Sequence, residues 1–359
     1  MTTPPESVFY TSGTTGHPKL VHHGERFFET LQAIADYWVA SGSPALRHLG
    51  VTGFAHVSGH IANLLTLFTG GTVVLVPGAT VPELLQAIER ERITSTLLTP
   101  IQLNAVLDDP VLATTDTSSL TLLSIGGAPA SPERLRQAID RFGSAVRLVY
   151  GLTEAAFVTE YRSLAVDPEH PERLASCGYT FADARIEVRG ADGNPCPAGT
   201  TGEVWVAGGL VMNGYWGQPE LTRDVLVDGW MKTGDVGYRD ADGYLFLVDR
   251  SKDMIVTGIG AFNVFTRPVE DALATHPQVR SAAVIGVPDT AEGEAVCAFV
   301  VLAPDATVTP AELRDLVTGQ LTLEHAPKWV EVVGEMPIAG IGKIDKKALR
   351  DLYRQRHPA

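Results

Sequence analysis

The run Tyr10-Thr11-Ser12-Gly13-Thr14-Thr15-Gly16-His17-Pro18-Lys19 crowds hydroxyls, flexible backbone and one cation into a single turn. Glycine lets backbone N–H groups approach phosphate oxygens closely, the hydroxyls add donors, and the lysine adds positive charge, so the run has the chemistry of a polyphosphate grip. It is not the common P-loop, Gly-x-x-x-x-Gly-Lys-Ser/Thr, because the fifth residue after Gly13 is Pro18. Four other stretches place reactive groups close together. Tyr150-Gly151-Leu152-Thr153-Glu154 sets an aromatic ring, a hydroxyl and a carboxylate at the end of an apolar strand, and Gly126-Gly127-Ala128-Pro129 ends another strand in a tight turn. Thr233-Gly234-Asp235 carries a single carboxylate, and Lys343 stands between Gly342 and Ile344 near the end of the chain.

The elements that must position these groups follow from periodicity. Residues 22–40 put Phe27, Leu31, Ile34 and Trp38 on one helical face, which predicts a helix directly after the phosphate loop, its N-terminus toward the phosphates. Thr72–Val76, Ile93–Leu98, Thr121–Ile125 and Val146–Val149 read as short buried strands. They alternate with helical segments 82–91 and 132–142, which have Pro82 and Pro132 at their first positions and, for the second, Ser131 as N-cap. That alternation predicts a layered α/β domain with ligand sites at the strand C-terminal ends.

From about residue 176 to 248 the texture changes to glycine-rich turns and short alternating strands, such as Glu203–Val206 and Tyr244–Val248, which predicts a β-rich part. After Arg250 it changes again. Residues 268–276 read as helix, 282–287 and 297–302 as strands, and Thr309-Pro310-Ala311-Glu312 as a capping box. The expected division is a large domain over 1–250, α/β to about 175 and β-rich thereafter, followed by a small α+β domain over 251–359.

Composition narrows the function. Hydrophobic residues at 45% and charged residues at 19% describe a soluble globular protein with ample core material. A formal charge of −14 disfavours nonspecific nucleic-acid binding and adhesion to anionic membranes. Cys177, Cys196 and Cys297 are far apart and lack the spacing of a zinc site or disulfide scaffold. The N-terminal stretch lacks a basic head followed by an apolar run, so the expected location is the cytoplasm.

Taken in order, these stretches resemble the motifs of the adenylate-forming superfamily, which comprises acyl-CoA synthetases, luciferases and adenylation domains; the resemblance is strongest to acyl- and aryl-CoA ligases. The resemblance implies that Thr11, Ser12, Gly13, Thr14, Thr15, Gly16 and Lys19 hold the β- and γ-phosphates of ATP. It implies that Tyr150 and Gly151 lie against adenine with Gly127, Ala128 and Pro129, that Thr153 approaches the α-phosphate, and that Glu154 holds Mg²⁺. The last role suits the residue, since magnesium takes oxygen ligands and shares them with substrate phosphates. Asp235 and Arg250 are implied to fix the ribose, and a carboxylate suits a vicinal diol because it accepts two O–H donors. Phe54-Ala55-His56-Val57-Ser58-Gly59-His60 resembles an element lining the carboxylate pocket, with His56 and Gly126 beside the substrate. The block from Gly202 to Thr222, including Gly214-Tyr215, resembles a mainly architectural part, Lys252 falls at the hinge between domains, and Lys343 matches the catalytic lysine.

The reaction so implied is attack of a small-molecule carboxylate on the α-phosphorus of ATP, giving an acyl-adenylate and pyrophosphate. Lys343 bridges carboxylate and α-phosphate, and alternation of the small domain then serves thioester formation with CoA. Two departures bear on this reading. Family members carry a whole subdomain before the phosphate loop, where this chain has nine residues, so exposed apolar surface is expected unless a homodimer or another partner covers it. After the hinge the chain reads Gly258-Ile259-Gly260-Ala261-Phe262-Asn263, roughly two residues longer than the family pattern, and Thr266 and Pro268 replace the usual proline and glutamate. That loop serves thiol transfer in the family. Two alternatives therefore stand beside CoA ligation: transfer of the acyl group to a phosphopantetheinyl carrier protein or an amine, and a shortened, weakly active homologue that binds nucleotide or a partner.

Overall fold

The computed structural model describes residues 5–11, 19–162, 169–250, 253–257, 262–289, 293–339 and 343–357. Its contacts divide the chain into two units. The first holds Met1–Ala130, Arg134–Thr233 and Tyr238–Phe246; the second holds Leu247–Ala359 with the short stretches Ser131–Glu133 and Gly234–Gly237.

The first unit begins with strands β1 (Ser7–Thr11) and β2 (Lys19–His23), which pair antiparallel so that Thr11 faces Lys19. Helix α1 (Glu25–Ala40) follows. A strand therefore stands where a helix was expected to leave the phosphate loop, because the backbone of Lys19–His23 pairs along its length with Ser7–Thr11; the helix starts only at Glu25. Phe27, Leu31 and Ile34 are buried as the 3.6-residue period predicts. Strand β3 (Arg47–Leu49), α2 (Val57–Phe68), β4 (Thr72–Val74), α3 (Val81–Arg90), β5 (Ser95–Leu98), α4 (Pro100–Asp108), β6 (Leu122–Ile125), α5 (Pro132–Phe142) and β7 (Val146–Tyr150) complete the α/β alternation. Strands β8 (Thr159–Tyr161) and β9 (Tyr179–Thr180) extend the sheet, whose order is β4-β3-β5-β6-β7-β8-β9. The pairs from β4 through β7 are parallel.

Two features place the ends of these strands. Thr99 caps α4, its N–H donating to Gln102 Oε1 and its Oγ1 accepting from the Gln102 N–H, so β5 stops at Leu98 and the chain turns at once into helix. Leu85, Ile93, Leu103, Leu123, Ile125 and Leu135 form the core between sheet and helices. A separate cluster of Phe9, Phe27, Leu31, Ile61 and Leu65 packs the β1–β2 hairpin against α1 and α2. The large apolar side chains Tyr37, Val39, Leu67 and Leu75 are exposed.

The β-rich part contains β10 (Arg185–Arg189), β11 (Gly202–Ala207), β12 (Gly214–Tyr215), α6 (Pro219–Val225), β13 (Leu226–Val227), β14 (Trp230–Arg239) and β15 (Leu245–Arg250). Strand β12 joins β2 rather than its sequence neighbours, giving the order β1-β2-β12. In the second unit, β16 (Ile255–Thr257), β17 (Phe262–Val264), α7 (Thr266–Ala274), β18 (Val279–Asp289), β19 (Gly293–Leu302), α8 (Pro310–Gln320) and β20 (Trp329–Val332) build a sheet with apolar clusters on both faces. The Thr309–Glu312 capping box opens α8 as expected. A hairpin of two-residue strands, β21 (Ile338–Ala339) and β22 (Lys343–Ile344), leads into α9 (Lys346–Arg356). Among the described residues no helix is long and apolar enough to cross a membrane.

His48 gives the first unit a measurable acid sensitivity. It lies buried in β3 with Nδ1 2.9 Å from the Ser95 hydroxyl, and burial lowers its pKa from 6.5 to about 4. Below pH 6.5 the unfolded chain takes up a proton that the folded chain refuses until about pH 4, so stability falls as pH falls through that window. Urea unfolding at pH 7 and pH 4 is expected to show a loss on the order of 3 kcal/mol from this residue. His48→Asn, which keeps a polar partner for Ser95, should be correspondingly less acid-sensitive than the parent.

Candidate active site

In the first unit the reactive groups gather at the C-terminal ends of the parallel strands, where α/β sheets bind ligands. Leu98, Ile125 and Tyr150 end β5, β6 and β7, and the last two are followed by turns singled out in the sequence. Gly126 is packed so closely that a Cβ there would lie 2.5 Å from the Val149 side chain, and Gly127 turns the backbone with φ +86°. Ala128 is half-buried and Pro129 exposed. At Gly151 a Cβ would lie 2.6 Å from the Ala156 carbonyl, because the chain doubles back: Leu152 N–H donates to Ala155 O, and Val158 N–H to Tyr150 O. The Tyr150 side chain is buried, while Thr153 and Glu154 are half-exposed on the turn.

Strand β2 runs beside this turn. The Tyr215 hydroxyl donates to Glu154 Oε1 at 3.0 Å, and Lys19 Nζ stands 4.7 Å above the Tyr215 ring. The structure thus gathers Lys19 and Glu154, 135 positions apart in the sequence, on one tyrosine. Met212 N–H donates to the Glu154 carbonyl, and the His23 ring donates through Nε2 to the Thr153 carbonyl at 2.8 Å. Thr11 closes the hairpin opposite Lys19. Ser12, Gly13, Thr14, Thr15 and Gly16 lie outside the described residues.

His56 sits at the N-cap of α2, half-buried. One turn on, His60 is ringed by Phe9, Phe28 and Phe54 at centroid distances of 5.1, 6.3 and 6.2 Å, with Ser7 Oγ 3.3 Å from its Nε2. Gly59 lies between them because a Cβ there would lie 2.2 Å from the Thr52 carbonyl.

The second unit holds the other group. Arg250 Nε is 2.8 Å from Asp235 Oδ1, and the carboxylate is buried whereas the guanidinium is partly exposed. Lys343 is exposed on the β21–β22 hairpin and paired with Ala339; two positions on, Asp345 caps α9 through the Ala348 N–H. Lys346 anchors that helix: its Nζ lies 2.9 Å from Glu270 Oε1 and 2.7 Å from Thr266 Oγ1. Burial works to lower the Lys346 pKa, but Glu270 and Asp249 outweigh it and raise the pKa. Thr266 also donates its N–H to Asp249, whose own pKa burial raises. A proline at position 266 would lack that N–H. Lys252 lies outside the described residues.

Sequence reasoning missed Tyr215, His23 and Lys346. Gly214-Tyr215 reads as architecture, and nothing in the spacing of His23 or Lys346 points to the turn or the helix that each meets. Glu154 suits a magnesium ion that takes one protein carboxylate and completes its shell with phosphates and water. Its Oε1 is engaged by a neutral hydroxyl rather than a cation, and among the described residues no group of three or more His, Cys, Asp or Glu gathers as an all-protein cage.

Comparison with known proteins gives the class. The family model for the AMP-binding enzyme matches residues 5–216, and that for the AMP-binding enzyme C-terminal domain matches residues 268–343. The chain belongs to the AMP-binding enzyme family. It is 40% identical over 358 residues to a medium/long-chain-fatty-acid–CoA ligase of Mycobacterium tuberculosis, covering 97% of this chain and 62% of that relative. Among solved structures it resembles the amide bond synthetase McbA from Marinactinospora thermotolerans (TM-score 0.88, 40% identity, 96% of this chain and 69% of that one). It also resembles ATP-bound MatB from Rhodopseudomonas palustris (TM-score 0.86, 30% identity, 98% of this chain and 68% of that one). The expected fold, layered α/β with a β-rich part and a small α+β C-terminal domain, is the one these adenylate-forming enzymes share.

The packing at Gly151 yields a prediction. Gly151→Ala should lower stability by about 1–3 kcal/mol, read as a lower urea midpoint, because the new methyl forces the turn away from Ala156.

Proposed function

We propose that this protein activates a carboxylic acid with ATP as an acyl-adenylate and then forms a CoA thioester. The single observation that carries the reading is the convergence of Lys19 and Glu154 on Tyr215 at the strand ends, in a chain of the AMP-binding enzyme family. In the first step a carboxylate oxygen bonds to the α-phosphorus while the bond from that phosphorus to the bridging oxygen breaks, and pyrophosphate leaves with the electron pair. Negative charge shifts onto phosphate oxygens, so positioned cations and N–H donors carry most of the catalysis.

Lys19 at the foot of β2, with Thr11, Ser12, Gly13, Thr14, Thr15 and Gly16 of the loop, takes the β- and γ-phosphates. Glu154 would hold Mg²⁺, which when bound would neutralise charge on the phosphates. Tyr150, Gly151, Gly127, Ala128 and Pro129 bound the adenine site, and Thr153 meets the α-phosphate. Asp235 accepts from the ribose hydroxyls with Arg250 beside it, and Lys343 offers its ammonium to the carboxylate and the α-phosphate. His56 and Gly126 line the acid's pocket, and Lys252 is the hinge. In the second step the CoA thiol gives up its proton to solvent and its sulfur bonds to the acyl carbon, while the bond from that carbon to the phosphate oxygen breaks and AMP leaves with the electron pair.

A second reading differs only in the acceptor: an amine, or the thiol of a carrier protein. The resemblance to an amide bond synthetase supports the first, and the 33% identity to a fatty acid–acyl-carrier-protein ligase of Streptomyces coeruleorubidus supports the second.

Pyrophosphate release measured with a panel of fatty and aromatic acids is expected to show acid-dependent turnover. Lys343→Ala should lower it by about a hundredfold or more. No turnover with any acid, or full turnover in Lys343→Ala, would refute the reading. Supplying CoA, an amine or a phosphopantetheinyl carrier to the preformed adenylate then identifies the acceptor.

A further inference from the structure

The geometry points to His23 as a positioning residue that holds the Thr153–Glu154 turn in register with strand β2. This inference rests on the proposed adenylation chemistry. His23 is fully buried, and its ring lies between Phe27, at a centroid distance of 4.5 Å, and Phe9, at 5.9 Å. Among the described residues its polar contact is Nε2 to the Thr153 carbonyl at 2.8 Å, across 130 positions of sequence. A carbonyl only accepts, so the ring proton must sit on Nε2. Nδ1 is then a bare acceptor, and it has no hydrogen-bond partner among the described atoms.

That arrangement is poor as core packing. Leucine would fill an apolar site between two phenylalanines without burying an unmatched nitrogen, which is unfavourable in itself. What histidine adds is one rigid donor aimed at one carbonyl. The residue C-terminal to that carbonyl is Glu154, whose own carbonyl takes the Met212 N–H and whose carboxylate takes the Tyr215 hydroxyl. Lys19 and His23 are the two ends of one five-residue strand. Lys19 meets the turn through Tyr215, and His23 meets it directly. The clamp therefore sets the Thr153 hydroxyl and the Glu154 carboxylate relative to the cation of the phosphate hairpin. Burial keeps the ring neutral by lowering its pKa to about 4, opposed by the Thr153 bond, so the donor tautomer persists at neutral pH.

The test compares His23→Leu, which removes the donor, with His23→Gln, whose amide nitrogen reaches a similar position. In pyrophosphate release, His23→Leu is expected to lower kcat about ten- to hundredfold with the KM for the acid unchanged, while His23→Gln stays within about threefold of the parent. Both variants should melt at or near the parental temperature. Amide hydrogen exchange over residues 150–158 should quicken in His23→Leu and be restored in His23→Gln; it reads the clamp without any turnover. Absence of turnover in the parent would refute the adenylation reading alone, leaving the exchange result to judge the clamp. Parental kcat and exchange in His23→Leu, or a kcat loss in both variants that tracks a lower melting temperature, would overturn the proposal.

Discussion

The antiparallel pairing of Ser7–Thr11 with Lys19–His23 is the constraint on which the first unit's site depends. Pairing fixes where Lys19 and His23 point, and β12 on the other edge of β2 brings Tyr215 into the same plane of contacts. The turn after β7 is then fastened at successive points by a ring nitrogen, a backbone N–H and a phenol. Each bond alone contributes modestly, about 0.5–1.5 kcal/mol net for a typical case. Together they leave Thr153 and Glu154 little freedom.

Close backbone packing supplies the second constraint. Gly126 and Gly151 follow neighbouring parallel strands, and neither has space for a Cβ. The chain therefore turns sharply at both strand ends and exposes the groups that come next. Thr99 achieves the same sharp exit by another route, a capping box that starts α4 immediately after β5. The C-terminal ends of β5, β6 and β7 are thus each set by a helix cap or by close backbone packing.

The second unit solves a different problem, the presentation of an exposed lysine from a rigid base. Lys343 occupies a two-residue strand, which by itself would be poorly held. Asp345 caps the helix that follows, and Lys346 pins that helix to Glu270 and Thr266 on α7. Thr266 serves both neighbours, its hydroxyl meeting Lys346 and its N–H meeting Asp249. The departure from the family's proline at this position therefore has a structural consequence, a backbone donor that proline lacks.

The sequence by itself determined the α/β alternation, the capping box of α8, the buried face of α1 and the family, because these rest on local periodicity, end signals and ordered motifs. It also set out the reactive residue types, from Lys19 to Lys343. Tertiary structure decided which residues stand beside them. The helix expected over residues 22–40 forms, but it starts only at Glu25, since the backbone of Lys19–His23 pairs with Ser7–Thr11 as β2. Tyr215, His23 and Lys346 act through partners 61, 130 and 76 positions away, separations at which no local pattern carries information. Local propensity writes the elements, whereas the contacts that aim a carboxylate or a lysine arise only when distant strands and helices pack.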